Sequence, residues 1–170
     1  MQYINHKKIS YILSEEPGLS GKIAFEFLSE IVNSNDVLKF IFHGQGENGI
    51  SIDSLLEIYD DIIIIMNRSN EKVFVIKNIN IDNRLLELLC LLGKFPNYLV
   101  ISRIDSNLNN SHISYYWSIE YSDEVLSFTY ADKYFDGSKI TIIEKKLETK
   151  GISYERKETK SFKIKSKNNF

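Results

Sequence analysis

The sequence predicts a single α/β domain: a short parallel sheet flanked by helices, extended by an antiparallel hairpin, with a basic C-terminal segment appended. Three observations carry this. Short apolar runs near residues 37, 73 and 97 alternate with segments of helical periodicity, an order that implies right-handed crossovers and a parallel sheet. Residues 112–131 switch to two-residue alternation, the pattern of a hairpin with one packed face. The chain has 170 residues, 43% hydrophobic and 12% aromatic, which suits one domain with a real core. The domain is expected over 1–157, with the basic segment over 158–170.

The elements follow in order. HKKISYIL (6–13) reads as a short strand, and Pro17-Gly18 breaks it. Ser20 can cap a helix, GKIAFEFLSEIVNS, in which Ile23, Phe27, Ile31 and Ala24, Leu28 fall at helical spacing. VLKFIF (37–42) is short and apolar, as a strand covered on both faces would be. A glycine loop follows. A second helix is expected over roughly 53–66, with a strand over 62–66 competing because of the IIII run. VFVIKN (73–78) reads as a strand. Asp82 caps the helix LLELLCLLG and Gly93 stops it. NYLVISRI is the next strand. In HISYYWSIEY, Tyr115, Trp117, Ile119 and Tyr121 share one face, and EVLSFTYA continues the hairpin through Leu126, Phe128 and Tyr130. SKITIIEKKLETKG reads as a helix capped by Ser138 and ended by Gly151, and ISYERK with SFKIK as a last small hairpin.

Charge separates two surfaces. Residues 138–170 carry ten Lys/Arg against four Glu, a net +6, whereas the rest carries eleven basic against nineteen acidic residues, a net −8. An acidic body disfavours nucleic acid and favours a basic protein partner. The segment MQYINHKKISYIL lacks the apolar stretch of a signal peptide. No apolar run approaches the roughly 20 residues that span a bilayer. A cytoplasmic protein without membrane contact is therefore expected. The single Cys90 excludes an intrachain disulfide. His6, His43 and His112 are too dispersed for metal-ligand spacing, and no motif asks for a cofactor.

The stretch FIFHGQGENGISIDS holds a literal G-x-G-x-x-G at Gly44, Gly46 and Gly49, after His43. A dinucleotide fingerprint needs its third glycine inside the following helix, and Gly49 is instead followed by ISID. Glu47 also puts a negative charge where phosphate would sit. The strand ending in His43-Gly44, followed in order by VFVIKNIN, a helix and LVISRID, resembles the His segment of caspase-like and CHAT cysteine peptidases over residues 37–104. That resemblance implies a nucleophile near Lys77 and Asn78, where no cysteine stands, and hence a copy inactive as a peptidase. Otherwise the loop is a strand-end turn, with a nucleotide-binding enzyme that uses a ligand loop of His43, Gly44, Gly46 and Gly49 as the alternative.

Asp53, Glu57 and Asp60 fall at i, i+4 and i+7, with Asp61 adjacent, as an acidic stripe on the expected second helix. With Glu47 before them and Tyr59 as an aromatic anchor, they form the expected partner-binding surface. The combined reading is a non-enzymatic binding protein. Its concrete version is a bacterial immunity protein that neutralises a basic toxin such as a nuclease.

Overall fold

A computed structural model describes residues 3–13, 18–44, 62–68, 70–92, 97–104, 116–159 and 162–165. Among these the elements are β1 (Tyr3–Leu13), α1 (Leu19–Ile31), β2 (Val37–His43), β3 (Ile62–Asn67), β4 (Glu71–Lys77), α2 (Asn83–Leu92), β5 (Tyr98–Ile104), β6 (Trp117–Tyr121), β7 (Val125–Ala131), α3 (Ser138–Thr149), β8 (Tyr154–Glu158) and β9 (Phe162–Lys165).

The nine strands form one sheet in the order β3-β4-β2-β5-β6-β7-β1-β8, with β9 also against β1. Every neighbouring pair is antiparallel. The expected short parallel sheet is therefore wrong. The reason lies in what fills the space under each crossover. All three helices do join strands that run in the same direction. However, β2 lies between β4 and β5, β1 lies between β7 and β8, and three strands separate β1 from β2. Each crossover skips an odd number of strands, one or three, so the strands it joins run the same way without being neighbours.

Other boundaries shift for local reasons. Residues 62–67 are strand rather than the end of a helix. Four consecutive isoleucines are β-branched, and their restricted χ1 favours extended backbone. The remainder of the expected second helix, 53–61, lies outside the described residues. Ser20 is not the cap of α1; Gly18, at φ 80°, holds that position and Ser20 is buried in the first turn. Asp82 does cap α2, its Oδ1 accepting the Leu85 N–H at 3.1 Å. Gly151, at φ 72°, follows α3, with Gly151 N–H bonded to the Glu148 carbonyl and Ile152 N–H to that of Leu147. This is the paired closure that glycine at the C′ position allows. The two last strands are not a hairpin. Both run antiparallel to β1, pairing Ile9 with Glu158 and His6 with Phe162, so one edge ribbon changes register by a single residue.

Among the described residues all three helices pack on one face of the sheet, and none packs on the other. Ile9 and Tyr11, Phe40 and Phe42, Phe74, Ile101, Trp117, Ile119 and Tyr121, and Leu126 and Phe128 meet Ile23, Phe27, Leu85, Leu89, Ile143 and Leu147 of the helices in one core. Each such side chain stabilises the fold by roughly 1.5–3 kcal/mol relative to exposure. α1 and α2 approach closely where Gly21 meets the Cys90 backbone. Cys90 is half-buried, and its thiol donates to the Gly18 carbonyl at 3.5 Å. On the opposite face Val37, Val75 and Ile104 form a small separate apolar cluster.

Candidate partner-binding face

The open face is built by strand alternation. Residues directly opposite one another in an antiparallel ladder point to the same side. The pairs Glu71–His43 and His43–Tyr98 therefore form one row across β4, β2 and β5. Val100 faces Glu120 on β6, and Glu120 faces Ser127 on β7, which continues the surface. The apolar cluster lies near the other end of β2, at Val37.

At the row's centre the His43 and Tyr98 rings stack, with centroids 4.3 Å apart and planes inclined by 16°. Both residues are half-buried. Burial, then the charges of Glu120 and Glu71, raise the Tyr98 phenol above its usual range. On the neighbouring strands β4 and β6, Glu71 and Glu120 flank the stacked His43–Tyr98 pair. Beside it is a shallow depression of about 350 Å³, lined among others by Asn97, Tyr98, Glu120 and Ser127, with Lys8 on its wall. Ser127 and Ser10 share a hydroxyl hydrogen bond of 2.9 Å on the same face.

Gly44 holds the end of β2 in place. Its φ is 146°, a region that favours glycine. A Cβ there would stand 1.8 Å from Asn97 Oδ1, and Asn97 is itself buried. Its N–H is already used, donating to the Asn70 carbonyl at 3.0 Å. Room for the buried Asn97 side-chain amide against the backbone is what this glycine provides.

Of the residues expected to bind a partner, Glu47, Asp53, Glu57, Tyr59, Asp60 and Asp61 all lie outside the described residues, as do Gly46 and Gly49. His43 and Gly44 are described: His43 is one ring of the stacked pair, and Gly44 follows it at the end of β2. Glu71, Tyr98 and Glu120 were not singled out from sequence. No short-range motif links positions 71, 98 and 120, and only the sheet register brings them together. Among the described residues no group of three or more His, Cys, Asp or Glu side chains is placed to hold a metal ion. No helix there is long and apolar enough to cross a membrane.

A larger groove of about 660 Å³ lies on the helical side, between Lys22, Phe25 and Glu26 of α1, Leu86 of α2, and Lys150 with Ile152 after α3. An ion pair between Lys150 and Glu26 bridges it. Lys146 and Glu30, 2.7 Å apart, form a parallel α3–α1 link. These charges face each other, which makes the groove a seam between helices.

Comparison with protein-family models, curated proteins and solved structures gives no match.

Proposed function

We propose that this chain is a non-enzymatic binding protein that seats a basic side chain of a protein partner on the open face of its sheet. The observation that carries this is the stacked His43–Tyr98 pair, flanked on the neighbouring strands by Glu71 and Glu120. An arginine or lysine from a partner gains there from the aromatic face and from two carboxylates at once. Tyrosine is also among the residues that most often anchor interfaces. The acidic balance of residues outside 138–170 would steer such a partner and speed its association at low salt. An inhibitor of a basic enzyme, such as an immunity protein facing a nuclease toxin, is the concrete form of this reading.

The test is a titration of the isotope-labelled protein with a short arginine-rich peptide, followed by NMR. Amide shifts should centre on His43, Tyr98 and Glu120 and shrink as salt is raised. Glu71→Gln with Glu120→Gln should abolish them. Shifts centred elsewhere, or binding kept in the double variant, would refute the reading.

A further inference from the structure

The depression beside Tyr98 has an acid and a base on its walls, Glu120 of β6 and Lys8 of β1. Glu120 lies opposite Ser127 on β7, Ser127 lies opposite Ser10 on β1, and Lys8 stands two residues along from Ser10. Opposed residues of a ladder share a face, as do residues two apart, so all four point to the same side. Two strand spacings and a two-residue rise put the Glu120 and Lys8 Cα atoms about 12 Å apart. Neither side chain belongs to an ion pair among the described residues. Their charges stand across the depression from each other without cancelling.

Between them the surface is hydroxylic. Ser10 and Ser127 bond to each other at 2.9 Å. One hydroxyl gives its hydrogen to that bond and the other keeps its own, so one O–H remains to donate. A negatively charged acceptor therefore suits the Lys8 end. A cation suits the Glu120 end, where the Tyr98 ring adds its face. A volume of about 350 Å³ lies at the small end of ligand sites, the size for one residue of a partner.

A group that satisfies both ends must carry its two charges well apart. The α-ammonium and α-carboxylate of an amino acid share one carbon and cannot reach both. A lysine or arginine cation stands on a stem of methylenes and can, with the carboxylate at the other end of the same residue. A free amino acid would also bring its ammonium beside Lys8, where like charges repel. The last residue of a chain has lost that ammonium to its peptide bond and keeps the carboxylate. Resting on the reading of this face as a seat for a basic side chain, we propose that the depression takes the C-terminal residue of the partner protein, an arginine or lysine whose free carboxylate pairs with Lys8 while its side-chain cation lies against Tyr98 and Glu120.

NMR titration of the full chain with two acetylated tetrapeptides ending in arginine tests this, one with a free carboxylate and one with a carboxamide. The carboxamide form has the higher net positive charge, so the acidic body alone would favour it. The free-acid form should nonetheless bind about fivefold tighter, as one partly screened ion pair gives. It alone should shift the amides of Lys8, Ser10 and Ser127. Free arginine should bind more weakly than the free-acid peptide. Lys8→Met keeps the stem and removes the charge, so it should erase the preference while circular dichroism shows the fold intact. Equal binding of the two peptides overturns this proposal and leaves the basic-side-chain reading standing, whereas no binding of either removes both. A preference that survives Lys8→Met, or free arginine that binds as tightly as the free-acid peptide, also overturns it.

Discussion

Tyr121→Phe isolates one hydroxyl at the junction of sheet and helices. Tyr121 is 1% exposed on β6, and its hydroxyl donates to the Leu89 carbonyl of α2 at 2.8 Å. Leu89 lies in the last four residues of α2, where helical carbonyls lose their intrahelical donors. Phenylalanine keeps the ring and its packing, so the change removes the hydrogen bond and little else. A net bond is worth about 0.5–1.5 kcal/mol, and a buried acceptor left without its donor costs about 1–3 kcal/mol. A loss of about 1–2 kcal/mol follows, read as a lower urea midpoint at unchanged slope. The same residue sets an alkaline limit. Burial, and secondarily the neighbouring Cys90, pushes the Tyr121 phenol well above its usual 10.0. In the unfolded chain it ionises near 10.0, so above that pH the folded state binds more protons and stability falls as pH rises. The contribution is complete below the unfolded value and is lost as pH climbs toward the folded one. One such group can contribute a slope of up to about 1.4 kcal/mol per pH unit. The alkaline decline of Tyr121→Phe should be correspondingly shallower. A midpoint shift worth less than about 0.5 kcal/mol, with an unchanged alkaline slope, would refute the assignment of this hydroxyl.

Two glycines give sharper steric tests. A Cβ at Gly21 would lie 2.7 Å from the Cys90 N and Cα, backbone atoms that cannot rotate away. Gly21→Ala should therefore cost about 1–3 kcal/mol in thermal unfolding, even though alanine favours helix by about 1 kcal/mol; a stabilised variant would show that α1 and α2 do not cross there. Gly44→Ala should cost at least about 1–3 kcal/mol from its backbone conformation alone. Adding Asn97→Ala should recover the clash with Oδ1 but not the backbone strain, and complete additivity in that double variant would remove the clash from the account.

The sequence carried the local structure better than the topology, for a physical reason. Periodicity reports which side of an element is buried, and that information is local. The Ile23–Phe27–Ile31 face of α1, the Asp82 cap of α2 and the Trp117–Ile119–Tyr121 face of β6 all depend on neighbours within one or two turns or alternations. Strand adjacency depends on distant segments. VFVIK and YLVISRI look like neighbours joined by a helix, yet β2, some thirty residues earlier than β4, lies between them. A helical crossover fixes the relative direction of the strands it joins and says nothing about how many strands it spans. The inference from alternation to a parallel sheet adds the assumption that the number is zero, and in this chain each crossover violates it.

The candidate site depended on that same missing information. His43 attracted notice because it precedes a glycine loop, and the chemistry considered for it was that of the loop. Its actual partners are lateral. Tyr98 lies opposite on β5 and Glu71 opposite on β4, each across a ladder that the sequence does not number. Had β2 paired in parallel with its neighbours, as expected, a different set of side chains would have stood beside His43. A one-residue slip in the actual antiparallel register would instead have turned Tyr98 toward the helices. The residues of the row are therefore a consequence of topology first and of composition second. The same dependence marks β3. Four isoleucines in a row read equally as helix core or buried strand until the sheet order puts them at its end. There, the same apolarity that would stabilise a central strand leaves Ile63, Ile64 and Ile65 exposed.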